Sequence, residues 1–560
     1  MSKLIMRFGI TVLIIAGLAC LTANTNSGCT DPVALNFDAT TESGTGICEY
    51  PDNGNFHSLL FDGVYDWVLA GTGENLLNIQ NAFTITAHLK VQDDNSPKFI
   101  FDGESTESEH DSLTSGFSLK ITENGNLQGF VGLGTNGGGN YLTSDVPITF
   151  NRWHYVAFTR NESIAELYIN GELVASTESF NSGDINFNGD AYNTNEYLIG
   201  HYTRTGEDYT PIHFFNGNIG DVKVYARSIH QIEAQAEMEG YVSLNALRGQ
   251  WKFNSGDGIL IYDHTGNGNH GSIVEAKWVV HEPISLEDGN NLISFPGYFL
   301  NDNTQMVLND INSDGADTQF LIGFWVGIFN YEGFWSGNLN HFSPFSGYWL
   351  NNIGEYDWDV QMDRFVDNCE VYPTTDDNNM VSFRWGPSEF VPTLDALGGE
   401  EFAHDHFNFI IGNGLGLFRT EDGWSGNLNY LQRSRGYYLN ITDPDLEIKW
   451  GFDFCDSPPE VSLFKEIESP FAQIPEEFRF VQSTQQAFYL IKRINLVHDH
   501  VEEGDLILAY NDEVLTGSTV WSGKYTALPV MGKDLSRNTN HYMEPGDIPQ
   551  IKLYKNSSNY

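Results

Sequence analysis

Four aromatic residues in stretches rich in Gly, Asn and Asp are the first candidates for chemistry: Tyr65, Trp67, Tyr192 and Tyr202. Rings held at loop tips can stack on sugar rings, while Asn and Asp neighbours bond the hydroxyls. The competing reading makes each ring a packing residue. His404-Asp405-His406 and His498-Asp499-His500 would each set two imidazoles on one face of a strand, a spacing that can hold zinc. Solvated surface histidines are the competing and favoured reading there. Hydrolysis of a glycosidic bond with retention needs two carboxylates about 5 Å apart. On a strand they would come from an E-x-D-x-x-E run, and none occurs. Nor is there a G-x-S-x-G, an H-E-x-x-H or a P-loop. The residues point to binding, with a carbohydrate-active enzyme and a purely structural envelope protein as alternatives.

Such side chains need a scaffold, and composition says which kind. The 560 residues include 28 Lys+Arg against 75 Asp+Glu, a net charge of −47, with 56 Gly and 14% aromatics. An acidic disordered chain would be poor in aromatics. A nucleic-acid binder would need the basic residues that are scarce here. Many short apolar runs between Gly/Asn/Asp turns indicate an all-β protein. Phe83, Ile85, Ala87, Leu89 and Val91 alternate with Thr84, Thr86, His88 and Lys90, which predicts a half-buried strand. Asn170-Gly171 between Leu167-Tyr168-Ile169 and Glu172-Leu173-Val174 predicts a two-residue hairpin.

Lys3 and Arg7 followed by the apolar run Phe8 to Ala23 predict an export signal over 1–23, cleaved after Ala23. Cys20 offers a lipid anchor instead, although Gly17 stands where such sites carry Leu. No later segment is apolar enough to span a membrane. Cys29, Cys48, Cys369 and Cys455 then remain, and four cysteines allow three pairings. Local pairing would give Cys29–Cys48 and Cys369–Cys455; free thiols or a four-thiolate zinc site are the alternatives, the latter without any C-x-x-C.

Gly28-Cys29-Thr30-Asp31-Pro32-Val33-Ala34-Leu35-Asn36-Phe37 closing at Cys48-Glu49-Tyr50 resembles a cysteine-bracketed GCTDPxAxNY module of secreted and surface proteins of marine bacteria. Thr45-Gly46-Ile47-Cys48 replaces the acidic DDGSC of that module. Phe61-Asp62-Gly63-Val64-Tyr65-Asp66-Trp67-Val68, Phe83-Thr84-Ile85, Trp153-His154-Tyr155-Val156-Ala157, Leu167-Tyr168-Ile169-Asn170-Gly171 and Phe215-Asn216-Gly217-Asn218-Ile219-Gly220-Asp221-Val222 follow in the order of a known family. Together they resemble the laminin-G-like, concanavalin A-like lectin/glucanase jelly roll, with His88 where that family usually has Trp. The resemblance implies carbohydrate or cell-surface recognition and, in many members, one bound calcium. Calcium takes six to eight oxygens, and Asp221 and Asp263 are the best-placed acids; ordinary turn-forming acids are the alternative. Gly249-Gln250-Trp251-Lys252-Phe253 and Asp263-His264-Thr265-Gly266-Asn267-Gly268-Asn269-His270-Gly271 resemble a segment that often opens such a domain. Placed after it, they either complete the same sandwich or are the vestige of a second copy.

An internal repeat follows. Phe320-Leu321-Ile322-Gly323 matches Phe409-Ile410-Ile411-Gly412, and Trp335-Ser336-Gly337-Asn338-Leu339-Asn340 matches Trp424-Ser425-Gly426-Asn427-Leu428-Asn429. The register also holds between Gly347-Tyr348-Trp349-Leu350-Asn351 and Gly436-Tyr437-Tyr438-Leu439-Asn440. The repeat tryptophans read as core. The expected order is a signal peptide (1–23), the cysteine module (24–52), a jelly-roll sandwich (55–282), β repeats at 284–365 and 370–455, a Pro-rich linker (456–476) and a C-terminal β module (477–560). The chain reads as exported to the cell surface or beyond, either whole or as a fragment. Its expected partner is an extracellular glycan or matrix component.

Overall fold

The computed structural model describes residues 29–40, 48–52, 56–72, 77, 79–103, 105–106, 114–133, 139–180, 182–185, 196–202, 213–366, 370–372, 378–383, 390–442, 450, 474–496 and 500–555. The leader with Cys20, and Tyr192, Cys369, Cys455, His498, Asp499 and most of the linker lie outside them. The described chain is nearly all β, with two sheets facing each other over residues 57–280.

The first sheet runs, in spatial order, Glu172–Thr177, Ile164–Ile169, Trp153–Asn161, Ala82–Val91, Asn216–Tyr225, His57–Asp62 and Lys277–Leu286. The second runs Leu260–Ile261, Gly271–Val274, Trp67–Thr72, Glu196–Ile199, Lys98–Asp102, Thr114–Ile121, Asn126–Leu133 and Asn140–Pro147. Inward residues of both, among them Phe61, Val68, Phe83, Phe101, Phe117, Phe158, Val222 and Val224, form one core. Asn170 (φ 51°) and Gly171 (φ 74°) make the two-residue turn. Both central residues of such a turn need positive φ, which Asn and Gly adopt most cheaply.

Two local expectations meet tertiary structure. The strand Ala82–Val91 is buried on both faces. Helix Gln231–Met238 and Ile229 lie over Tyr155, Ala157 and Tyr168 on the outer side, and Thr84 Oγ1 is tied to Thr159 Oγ1 and the Arg227 carbonyl at 2.9 Å. The Trp251 segment completes the sandwich. Leu247–Trp251 pairs with Asn216–Tyr225 in the first sheet, and Gly271–Val274 pairs with Trp67–Thr72 in the second. Trp251 sits fully buried in the shared core, its Nε1 donating to the Asn269 carbonyl at 2.7 Å.

The strand Lys277–Leu286 does not stop where the sandwich does. Its first residues pair with His57–Asp62, and Val280 to Leu286 pair with Tyr356–Phe365. One sheet therefore passes without a break from the jelly roll into the first repeat.

Each repeat folds as a five-stranded sheet of identical order. In the first the order is Gly289–Ser294, Gly347–Asn352, Thr318–Ile322, Gly327–Tyr331, Phe334–Gly337. In the second it is Asn378–Ser382, Gly436–Ile441, Phe407–Ile411, Gly416–Thr420, Gly423–Gly426. The copies meet about a local twofold axis. Ser294 N donates to the Ser434 carbonyl at 2.9 Å, and the matching Ser382 N donates to the Phe345 carbonyl at 3.1 Å. The matched residues Trp349 and Tyr438 touch each other, indole Nε1 to hydroxyl, at 3.0 Å.

The W-S-G-N-L-N corner is structural in both copies. Asn338 Oδ1 accepts from Gly327 N at 2.8 Å and Asn427 Oδ1 from Gly416 N at 2.9 Å. Leu339 and Leu428 are buried, as is Trp335. The C-terminal module leans on both copies, through Asn290 Nδ2 to Asp534 Oδ2 at 2.9 Å and through a Phe418–Phe488 ring contact at 5.2 Å.

Candidate functional site

After the strand Glu196–Ile199 the chain leaves the second sheet, and His201–Tyr202 pairs with His213–Phe214 as a short ribbon. Successive residues of a strand face opposite sides, so His201 and Phe214 share one side and Tyr202 and His213 the other. On the first side, His201 and Phe214 stack at 4.3 Å, Tyr65 meets Phe214 edge-on at 5.7 Å, and Trp67 lies 6.0 Å from His201. On the second, Tyr202 stacks on Phe99 at 4.5 Å. Lys120 Nζ stands 4.9 Å over the Phe99 ring and 5.7 Å over Tyr141. Tyr65 is 59% exposed while Phe214 beneath it is buried. The ribbon thus carries the exposed Tyr65 and the half-buried Trp67 on one side and the half-buried Tyr202 on the other, over an apolar base.

Local hydrogen bonding sets these rings. Asp62 Oδ1 accepts from Val64 N at 2.8 Å and Tyr65 N at 3.3 Å, and Asp66 Oδ2 accepts from Asp62 N at 2.7 Å. The F-D-G-V-Y-D-W loop is thereby held with Tyr65 at its tip. Burial raises the pKa of the Asp66 carboxyl. Burial also lowers the pKa of both His201 and His213, helped at His213 by the nearby Lys120 ammonium. Neutral imidazoles keep the ribbon weakly polar, and His213 Nδ1 is buried without a hydrogen-bond partner. Such a surface can stack ring faces and offer a few directed polar atoms.

Of the four aromatics expected from sequence, Tyr65 and Trp67 are therefore brought to one side of the ribbon and Tyr202 to the other. His201, His213, Phe214, Phe99 and Lys120 were not anticipated. Their one sequence signal is the alternation in His201-Tyr202 and His213-Phe214-Phe215, too short to read alone.

The two acids expected to bind calcium lie elsewhere and already have protein partners. Asp263 is fully buried: Oδ1 accepts from Gln250 N at 3.1 Å, Thr265 N at 3.0 Å and Thr265 Oγ1 at 2.7 Å, and Oδ2 from Asn269 N at 3.1 Å. Those donors fill the lone pairs a cation would need, so Asp263 organises a turn. Asp221 is held by the Lys223 ammonium, which also meets Glu237 Oε2 at 3.3 Å. Among the described residues no group of three His, Cys, Asp or Glu is placed to hold a metal. Asp221 and Glu237 form a close pair of carboxylates, but Glu237 lies on the buried face of the helix Gln231–Met238 with the Lys223 ammonium between them. The pair is closed to a substrate.

His404-Asp405-His406 lies on the helix Glu400–His406 and not on a strand. Glu400, Glu401 and Ala403 favour that helix. Residues two apart on a helix point to different sides, so the imidazoles diverge.

Cys29 and Cys48 are joined. The bracketed module packs on the Asp263 turn: His270 Nε2 donates to Asp31 Oδ2 at 2.6 Å, and Tyr50 OH donates to the same oxygen at 2.7 Å. His270 Nδ1 accepts from Asp263 N at 3.0 Å, which assigns the tautomer. Tyr50 also meets His264 at 5.1 Å. Burial, with Lys252 adding to it, pushes the pKa of His264 down to about 4. Between pH 6.5 and 4 the unfolded chain gains a proton that folded His264 refuses, so stability falls as pH falls. The expected loss is about 2–3 kcal/mol. Melting curves at pH 7 and 4.5 should show a shallower acid loss in His264→Phe than in the wild type; equal losses would refute it.

Residues 62–235 match the profile of the concanavalin A-like lectin/glucanases superfamily. No curated protein matches the chain. Among solved structures the chain is similar to a Bacteroides ovatus protein at 19% identity, covering 42% of this chain, with TM-score 0.29; it spans 64% of that protein's length. It is also similar to the SAP-like pentraxin of Limulus polyphemus (13% identity, 40% of this chain, 95% of that one, TM-score 0.26). A third is the Ruminococcus gnavus sialidase module CBM40 bound to α2,3-sialyllactose (18% identity, 32% of this chain, 96% of that one, TM-score 0.27).

Proposed function

We propose that the chain is an exported binding protein whose jelly roll recognises a glycan or other surface component through the His201–Phe214 ribbon. The observation that carries this reading is the gathering of aromatic rings about one ribbon, Tyr65 and Trp67 on one side of it and Tyr202 on the other, from segments more than 130 residues apart in sequence. The superfamily profile over residues 62–235 supports it. The Cys29–Cys48 bond supports an oxidising, extracellular setting. No helix among the described residues is long and apolar enough to cross a membrane.

A glycan array probed with the full chain tests the reading. Wild type should bind defined glycans, and Trp67→Ala and Tyr202→Ala should each weaken that binding about tenfold, the worth of one lost stacking contact. An unchanged binding pattern in both variants would refute the assignment. The array is run with calcium and with EDTA: binding lost in EDTA adds a calcium ion to the reading, and binding retained removes it.

A further inference from the structure

The two repeats are one fold written twice, so a difference between matched positions isolates what the fold does not require. The loop Gly323 to Val326 closes through Gly323 N to the Val326 carbonyl at 2.9 Å, and Gly412 N to the Leu415 carbonyl matches it at 2.9 Å. Both turns need a left-handed residue at the third position. The second repeat supplies Gly414 at φ 69°, whereas the first places Trp325 there at φ 63°. A bulky residue in that conformation is strained where glycine is not. Packing does not explain the choice, since Trp325 is 86% exposed with Phe324 beside it at 5.3 Å. At the far end of the same hairpin Tyr331 is exposed and Phe334 is 77% exposed. The matched residues of the second repeat are Asn413, Gly414, Thr420 and Gly423, so all four aromatics belong to one copy alone.

The second repeat also shows how this hairpin meets protein. Its Phe418 contacts Phe488 of the C-terminal module, and its Asp422 pairs with Lys524. That protein-facing version has no aromatic tips. The first repeat's version has them, and Gly333 in place of the acid.

We propose that the hairpin Gly327–Tyr331 with Phe334–Gly337 of the first repeat binds an extended neutral glycan. Phe324 and Trp325 hold one end of it, and Tyr331 and Phe334 the other. A five-residue strand separates the two ring pairs by about 17 Å, a span that suits several sugar units and exceeds any single ring. Sugar rings with equatorial substituents present faces of axial C–H groups that stack on aromatic rings. Glu332 at the tip and the net charge of −47 select against anionic chains. This site stands apart from the jelly-roll ribbon and does not rest on it.

Titration calorimetry of the full chain with cellohexaose, xylohexaose and mannohexaose tests the proposal, with an oligogalacturonate as anionic control. At least one neutral hexasaccharide should bind and the control should not. Trp325→Gly, which installs the residue the second repeat uses, should weaken that binding tenfold or more with no fall in melting temperature. Tyr331→Thr with Phe334→Gly should do the same. If Trp325→Gly lowers the melting temperature, Trp325→Asn, which tolerates the left-handed turn, takes its place. Failure of all three neutral sugars to bind, or binding unchanged by these substitutions, overturns the proposal. Binding lost in Trp67→Ala but kept in Trp325→Gly overturns it too, and leaves the jelly-roll reading intact.

Discussion

Asp263→Ala is expected to destabilise the jelly roll by about 4 kcal/mol or more. The substitution strips the partner from four donors at once, three of them backbone N–H groups of Gln250, Thr265 and Asn269. Each buried donor left unpaired costs about 1–3 kcal/mol, and the terms do not simply add. The damage would spread, because Asp263 bridges to Trp251 in the neighbouring strand and Asn269 accepts the Trp251 indole proton. Denaturant unfolding with tryptophan emission as the signal would measure it. Asp263→Asn keeps an acceptor and should lose less than half as much. An alanine variant with wild-type stability would show that the turn closes without the carboxylate. A calcium-bound Asp263 would instead make wild type lose comparable stability in EDTA.

Asp359→Ala is the second large effect, about 2–4 kcal/mol, a little below the range for a fully buried charged cluster because the Asp359 side chain keeps 23% of its exposure. Asp359 comes from the first repeat but accepts from Lys90 Nζ at 3.1 Å and Trp153 Nε1 at 3.0 Å, both in the jelly roll, and from His281 Nδ1 at 2.9 Å. The network continues from His281 Nε2 to Ser58 Oγ at 2.7 Å. Asn218 Nδ2 donates to that hydroxyl at 3.1 Å, and Asn218 Oδ1 accepts from Gln361 at 3.1 Å. Burial alone would raise the pKa of the Asp359 carboxyl, but the His281 hydrogen bond and charge, then Lys90 and Trp153, outweigh it and hold it well below the usual carboxylate range. A depressed folded-state pKa means the contribution is complete above about pH 4 and is lost as pH falls below that. Wild type should therefore lose more stability between pH 5 and 2 than Asp359→Asn does. Parallel acid curves for the two would refute the assignment.

Local patterns were the legible part of this fold. Asn170-Gly171 spells its turn because both residues accept positive φ. The matched Trp335 and Trp424 motifs spell the duplication because the same corner is needed twice. The ribbon was only half legible: Tyr65, Trp67 and Tyr202 are of a suitable type, but Tyr65 and Trp67 reach it only because His201 and Phe214 arrive from much later in the chain. Tertiary context overrode the alternation in Ala82–Val91, whose Thr84 and Thr86 lie beneath a helix and not in water. Asp263 could not be assigned a role from sequence because an acid in a Gly/Asn turn has the same appearance whether its oxygens take a cation or the backbone N–H groups it meets here. The strand placement of His404 and His406 gave way to a helix because the short run Glu400 to His406 satisfies a helix as readily as a strand edge.

The strand Lys277–Leu286 has a mechanical meaning. Because it is hydrogen-bonded first to His57–Asp62 and then to Tyr356–Phe365, the jelly roll and the first repeat are yoked by a ladder, with no swivel between them. A pull applied to the jelly roll would reach the first repeat through backbone hydrogen bonds that must break together. The His201–Phe214 ribbon keeps a fixed aim relative to the first repeat, and a torque on either part would turn the two as one body.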